Sequence, residues 1–558
     1  MLPIGSLTQP SSVAFQYHAF TQLEYREDLP IIIPVFEEQA DLIVDKPFPE
    51  VKALREHMDA LTNRRDDIMV AVFPVKRGDV LVTLCVVYVG QKFKSSKSSR
   101  LKFGSISFYR TLSVRMTAAI ARLREMKFVE ATIILPGRFF PDHLKKDPRQ
   151  EREEEIFVRT VATAVVVAND TFDAYFASPE PRMSNIYLTH FGEMQSQKTV
   201  PHFFNRAIGS GVLMGESVGE ARRLTQLPPN DKTPLSLAEH FLGTEIKFNT
   251  PSTKKVWKGI RGHRFGSQVK ASIIYGTKAL EGAGFRMIAA IGRGSQHEPC
   301  FLSLHYRPKN KKENTKKLAL IGKGVVFDTG GTNLKESSTL KRMHYDMAGA
   351  ATAVAVLRYA VAKRLQVEIV VLIPLVDNAI GSKSIRPGEI LRAYGGQTNE
   401  ITDTDSEGRV ILADAISFSE KHMKPDCTIT IATLTDMAEF GPAIIKVIGT
   451  DDDLKRKAEQ AMQRSHEVMF MLPKPEDLGD VTSQHVGDLS DLKNDIGTHY
   501  HTSPAMAMYD YFPWSNSRWM HIDVAAVFED DADDYGSGPG FGVRFLAEMV
   551  KQFAYKHS

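Results

Sequence analysis

Five short apolar runs, 287–291, 318–321, 368–376, 428–434 and 520–527, recur along the second half of this chain with helical stretches between them. They show little of the in-and-out alternation of a strand with one wet face, so a strand built from them must be covered on both sides. Helices packed against both faces of a largely parallel sheet meet that demand.

A chain of 558 residues exceeds what one hydrophobic core usually organises, and two or more domains are expected. Residues 80–89 (VLVTLCVVYV) and the helical pattern of 112–126 (LSVRMTAAIARLREM) place strands and helices in the first part as well. The expected fold class is therefore α/β throughout. An N-terminal α/β domain over residues 1–195 precedes a larger one over 196–558, whose mostly parallel central sheet is covered by helices. A helix through 215–224 (GESVGEARRL) opens the second domain and is stopped by Pro228-Pro229-Asn230, since tandem prolines cannot continue it. Three hydrophilic stretches, 92–102, 145–155 and 307–317, read as solvated surface loops, the second of them entering a helix.

Composition narrows the partners more than the activity. Lys and Arg number 70 against 67 Asp and Glu, a net +3 that gives no reason to expect nucleic acid or an acidic membrane. Cys85, Cys300 and Cys427 lie far apart without CxxC spacing, which argues against a disulfide framework and a thiolate metal site and for a reducing compartment. The N-terminal segment has no basic start followed by a long apolar stretch. No segment approaches the ~18 apolar residues of a membrane span. A cytoplasmic protein, neither secreted nor membrane-inserted, is expected.

Chemistry concentrates in two segments. Lys323 and Asp328 sit in Gly322-Lys323-Gly324-Val325-Val326-Phe327-Asp328-Thr329-Gly330-Gly331, directly after an apolar run, and Lys335 and Asp346 follow. The second segment is Asp403-Thr404-Asp405-Ser406-Glu407-Gly408-Arg409, ahead of a helix over 410–422. The carboxyl ends of parallel strands are where α/β sheets bind ligands. The glycine spacing fits neither GxxxxGK[ST] nor GxGxxG, so a phosphate cradle is disfavoured. Asp346 alone would be an ordinary helix cap before the Ala-rich helix of 347–363, and Asp405 with Glu407 an ordinary acidic turn. Together they are another matter. If the segment is extended, alternate residues Asp405 and Glu407 point the same way. Ionised groups threaded through core-like sequence need a common partner, and divalent metal is the natural one.

Lys323, Asp328, Lys335, Asp346 and Asp405-Ser406-Glu407-Gly408-Arg409 resemble the metal and catalytic motifs of the leucyl aminopeptidase family, the cytosolic two-metal exopeptidases. The resemblance covers roughly residues 215–550. It extends to Pro228-Pro229-Asn230 with Pro234, Arg386-Pro387-Gly388-Glu389, Ala432-Thr433-Leu434-Thr435 and Trp519-Met520-His521-Ile522-Asp523. It implies that the larger domain is catalytic, with Asp328 and Glu407 bridging two metals, Asp405 completing one site, and Lys323 with Asp346 completing the other. Such ligands suit zinc or manganese, and magnesium is also compatible. Lys323 can coordinate only as the neutral amine. The resemblance further implies that Lys335 stabilises a developing oxyanion and that Arg409 holds a bicarbonate ion as general base. Its substrates would be peptides with a free N-terminus, and its assembly a homohexamer.

The chain departs from the family pattern at Asp403 (usually Asn), Ser406 (usually Ala), Glu336 (usually Pro) and Ala348 (usually Gly). Asp436 and Met437 stand where Gly-Ala is common, near the pocket for the substrate's first side chain, and Met343 matches an apolar position of that pocket. These describe a divergent member. Metal-dependent removal of N-terminal residues is the leading expectation. The alternative is a catalytically weak or inactive homologue acting as a structural or binding protein. A nucleic-acid-binding role has only the loops around Lys92 and Lys311 behind it.

Overall fold

A computed structural model describes residues 13–17, 29–36, 70–77, 80–90, 103–135, 148–190, 202–246, 255–258, 263–435, 443–473, 489–495, 518–528 and 538–554. The expected domain boundary at 195/196 and the loop at 92–102 lie outside these residues. The chain divides into two compact units, residues 10–219 and 220–558, a division that falls within the helix His202–Gln226. That helix begins well before the expected 215–224.

In the smaller unit the described strands form one sheet in the order Ala14–Tyr17, Asn185–His190, Glu130–Leu135, Ile31–Phe36, Val80–Gly90 and Val70–Arg77. All neighbours are parallel except the last pair, which is antiparallel. The helices Phe103–Glu125 and Pro148–Asn169 supply Leu112, Met116, Ile120, Val161 and Val165 to a core with Ile133 and Ile186. Of the 145–155 stretch, expected to enter a helix, residues 148–155 belong to the helix Pro148–Asn169, and 145–147 lie outside the described residues.

The larger unit holds a ten-stranded sheet among the described residues. Its continuous order is Val468–Met471, Ile444–Gly449, Trp519–Asp523, Cys427–Ala432, Lys317–Gly322, Glu368–Asn378, Cys300–Tyr306, Val269–Tyr275 and Lys255–Lys258, with Gly324–Asp328 pairing on Glu368–Asn378. The four central strands run parallel, from Trp519–Asp523 to Glu368–Asn378. Their side chains are buried almost without a break, which is why the sequence runs hardly alternate.

One expected strand is wrong. Residues 287–291 belong to the helix Arg286–Gly292, whose Met287 to Ile291 are all buried. An apolar run this short carries no period that separates a buried strand from a helix buried all round. The strand that the region does contribute is Cys300–Tyr306, and the basic loop after it is exposed, as expected.

Small residues set the depth of the helix over the sheet centre. A methyl at Gly349 in the helix Ala348–Ala362 would collide with the carbonyl oxygen of Ile431, and one at Gly322 would stand 2.6 Å from the Cα of Ala350. The helix therefore lies against the strands at backbone contact, as only glycine and alanine permit.

A buried carboxylate fixes the other covering helix. Asp414, fully buried in the helix Glu407–Phe418, accepts hydrogen bonds from the backbone N–H of Met287 (3.0 Å), Ile288 (3.2 Å) and Tyr394 (2.7 Å). Burial outweighs these donors and pushes its pKa up to about 7. Because the folded pKa lies above the ordinary carboxyl value of about 3.9, its contribution to stability is complete at low pH and is lost as pH rises through about 7. Asp414→Asn should remove that decline and, by turning an amide NH2 toward a backbone N–H, cost about 2 kcal/mol. Denaturant unfolding between about pH 4 and about pH 8 measures both effects, and an unchanged pH slope would refute the assignment.

Candidate metal centre

The site grows from the ends of the central strands. Past Gly322 the chain leaves its strand, yet Lys323 stays anchored, its N–H donating to the Ile431 carbonyl and its own carbonyl accepting from Ala350 N–H, each at 2.9 Å. Its side chain, only 4% exposed, runs across the start of the helix Glu407–Phe418, where a methyl at Gly408 would stand 2.8 Å from its Cε. Lys323 Nζ ends 2.8 Å from Asp346 Oδ2, 2.7 Å from Glu407 Oε1 and 3.1 Å from the Thr433 carbonyl oxygen.

Asp328 closes the strand Gly324–Asp328. Its Oδ1 accepts from Gly330 N–H (2.9 Å) and Asn378 Nδ2 (2.8 Å), while Oδ2 lies 3.0 Å from Lys335 Nζ. The turn that brings Lys335 back needs positive φ at Gly330 (83°) and Gly331 (65°), a region open to glycine. Lys335 also pairs with Asp405.

Asp346 is not a helix cap. The helix begins at Ala348 without a side-chain cap, and Asp346 Oδ1 instead accepts the Thr433 hydroxyl at 2.6 Å. Nor is the 403–409 segment extended, as the alternation argument required. Thr404–Ser406 is a 3-10 turn that runs straight into the helix at Glu407. Asp405 and Glu407 converge through that turn, and Asp403 serves it as a cap, accepting Asp405 N–H at 2.9 Å. One oxygen each of Asp328, Asp405 and Glu407 lies within 4.8 Å of the others, the spacing of a shared cation.

Four carboxyl groups, Asp328, Asp346, Asp405 and Glu407, thus face two ammonium groups, Lys323 and Lys335, so that full ionisation would leave two negative charges uncompensated. Burial favours the protonated acids: it raises Asp346 and Glu407, and lifts Asp405 to about 7 with help from Asp328 and Glu407. Burial opposes the charge on Lys323 too, but Asp346, Glu407 and Asp328 overcome it and hold that ammonium above the ordinary lysine value. Lys335 is raised in the same way, burial being outweighed by Asp328, Glu407 and Asp405. Glu407 Oε2 is buried without a hydrogen-bond partner. A buried carboxylate oxygen with nothing to bind, beside excess negative charge, fits a cation.

Arg409, two residues beyond Glu407, is 8% exposed. Its Nη1 donates to the Asn494 carbonyl at 2.9 Å and lies 3.3 Å from Asp495 Oδ1, while Nε is buried without a partner. Nη1 thus meets a carbonyl and a carboxylate, while the Nε edge of the guanidinium has no partner among the described residues.

All seven expected residues lie at this edge of the sheet. Sequence reasoning missed the groups that hold them. Asn378 joins Asp328 to the Thr404 carbonyl (3.1 Å), spanning the two motif segments. Lys232, buried, donates to the carbonyls of Thr225 (2.7 Å) and His344 (2.6 Å), so burial drives its pKa far down while it pins the turn Met343–Tyr345 ahead of Asp346. Its only signal was its place just after Pro228-Pro229-Asn230. Asp523, unlike these already marked by the run Trp519–Asp523, accepts from Thr435 N–H (3.1 Å) and the Thr435 hydroxyl (2.6 Å), fixing the turn beyond Thr433. Met343 is half-buried, and Asp436 and Met437 lie outside the described residues.

The sequence profile of the cytosol aminopeptidase family, catalytic domain, matches residues 220–547. A probable cytosol aminopeptidase of Chlorobium limicola is 31% identical over 351 residues, 62% of this chain and 65% of that protein, so the match spans just under two thirds of the relative. One from Geobacter sulfurreducens is 30% identical over 399 residues, covering 71% of this chain and 74% of that one. Among solved structures, the bottromycin maturation enzyme BotP in complex with Mn superposes with TM-score 0.70 at 23% identity, over 94% of this chain and 99% of its own. The apo leucyl aminopeptidase of Trypanosoma cruzi superposes with TM-score 0.74 at 21% identity, over 99% of both chains. These two likenesses speak for the fold. No helix among the described residues is long and apolar enough to cross a membrane.

A cation that takes Lys323 as a ligand must displace its proton, because Asp346, Glu407 and Asp328 hold that amine as the ammonium. Zinc or manganese should therefore bind more tightly at about pH 8 than at about pH 6 and release protons. Calorimetry in buffers of different ionisation enthalpy reads that release directly, and Lys323→Met should diminish it. Equal affinity across this range without proton release would contradict the site.

Proposed function

This chain belongs to the cytosol aminopeptidase family, and on that premise we propose that it is a metal-dependent aminopeptidase that removes N-terminal residues from peptides. The observation that carries the reading is the buried group of four carboxylates and two lysines with an orphaned Glu407 oxygen. Asp328 and Glu407 would be shared by two divalent ions, with Asp405 completing one site and Lys323 and Asp346 the other. Zinc and manganese are the candidate ions, and the manganese complex of BotP supports the second. When bound, such a pair polarises a carbonyl and lowers the pKa of water.

The chain's own groups prepare the rest. Asn378 and Gly330 N–H hold Asp328 in one orientation, and the Thr433 hydroxyl does the same for Asp346. Lys335 stays charged between Asp328 and Asp405, so its ammonium is ready where negative charge develops on a scissile carbonyl oxygen. Lys323 would hold a metal only as the neutral amine, after loss of its proton. Substrates with a free N-terminus, a homohexameric assembly and a cytoplasmic location complete the proposal, the last in keeping with the names of the relatives.

The test is turnover of a panel of aminoacyl amides with zinc, manganese or chelator. Chelation should abolish activity and added metal restore it. Glu407→Ala should remove activity together with metal, whereas Lys335→Met should lower kcat about 100- to 1000-fold while the metals remain bound. Metal-loaded protein that turns over no substrate would leave the binding-protein reading in its place. Light scattering of the purified protein should give a particle of six chains, and a monomer would refute the assembly.

A further inference from the structure

We propose that Lys446 is a positioning residue of the metal centre: through Thr435 and Asp523 its ammonium fixes the turn 433–435, which holds Lys323 and Asp346 where they would bind an ion. The inference rests on the reading of the site as a two-metal centre. Lys446 stands in the strand Ile444–Gly449 between Ile445 and Val447, and at 1% exposure it is as buried as those apolar neighbours. An ammonium in such a place has lost its hydration and persists only where acceptors and anions replace it. Asp523 lies directly opposite it in the antiparallel strand pair.

Lys446 Nζ donates to Thr435 Oγ1 at 2.7 Å, and that hydroxyl donates to Asp523 Oδ2 at 2.6 Å. The direction is forced, because an ammonium only donates, an ionised carboxylate only accepts, and the hydroxyl has a single proton to pass on. Charge at both ends of the chain strengthens both bonds. Asp523 also accepts from the N–H of Leu434 (Oδ1, 3.3 Å) and of Thr435 (Oδ2, 3.1 Å), so backbone and side chain of the turn are tied together. The same turn meets the metal centre through Thr433. Its carbonyl accepts from Lys323 Nζ at 3.1 Å, and its hydroxyl donates to Asp346 Oδ1 at 2.6 Å. A displacement of the turn therefore moves Lys323 and Asp346 together. Asp405 and Asp328 are held by other groups, the first by Asp403 and the second by Gly330 N–H and Asn378. The ion that Asp405 would complete does not depend on this chain of bonds.

The experiment titrates the full-length, metal-free protein with zinc and with cobalt(II), reading affinity by calorimetry and the cobalt ligands by visible absorption. Lys446→Met should weaken one of the two ions about 10- to 100-fold and change its cobalt spectrum, while the other ion keeps its affinity. Thr435→Val should do the same, and Thr435→Ser, which keeps the hydroxyl, should fall closer to wild type. Because the two residues act in one chain, the double variant Lys446→Met/Thr435→Val should bind no more weakly than the worse single variant. A Lys446→Met protein with native near-ultraviolet circular dichroism that binds both ions as wild type does would overturn the proposal. Equal weakening of both ions, or additive losses in the double variant, would overturn it too, since a merely loosened fold gives either. Thr435→Val carries the test if Lys446→Met does not fold. Wild type that binds no ion would refute the metal centre and this role with it. Absence of turnover in metal-loaded wild type counts against the peptidase reading alone, because the binding measurements need no substrate.

Discussion

Lys323, closed in between Asp346 and Glu407, is the contact through which the rest of the site is organised. Each partner comes from a different part of the chain: a strand end, the turn before the Ala-rich helix, and the first residue of the helix that follows the 403–406 turn. None of these charges would be stable alone in so buried a place, because an isolated ion loses far more in hydration than neighbouring dipoles return. They persist as a set, and the set is short of positive charge. That shortage is what a bound divalent cation would make good, and a balanced structural salt bridge would not have it.

Bringing the three parts together depends on how closely backbone can approach backbone. Gly322, Gly349 and Gly408 each stand where a methyl would strike a neighbouring strand, helix or the Lys323 side chain. The strand ends, the helix carrying Glu407 and the turn carrying Asp346 can therefore converge within the reach of a lysine. Further supports act from behind. Asn378 and Thr433 donate to the carboxylates of Asp328 and Asp346, Lys232 donates to loop carbonyls and Asp523 accepts from Thr435, and each removes a freedom that a surface loop would otherwise keep.

The same logic separates the two lysines and Arg409. Lys323 is the more buried and faces two carboxylates that would be shared with metal, so losing its proton is compatible with the charge of the loaded site. Lys335 is less buried and paired with Asp328 and Asp405, which suits a retained ammonium. Arg409, which cannot discard its charge, is matched by Asp495 and a carbonyl. Three basic residues at one edge of the sheet thus meet three different sets of oxygens.

Much of this was legible in the amino-acid order. The unalternating apolar runs at 318–321, 368–376, 428–434 and 520–527 announced a doubly covered sheet, because burial on both faces erases the period of two. The carboxylates and lysines announced a cation site through their type and spacing. The run at 287–291 was misread because five apolar residues carry no period, and the 403–409 segment was misread as extended because a turn leaves no such signature either. Asp495 and Asn378 were invisible for a different reason: each is an ordinary polar residue, and only contacts made across 86 and 50 residues of chain reveal its part. The sequence by itself determined the kinds of groups and the sheet that presents them, since residue type and periodicity are local properties. Only the tertiary structure decided which oxygen meets which nitrogen, because that is set by the distance between segments remote in sequence.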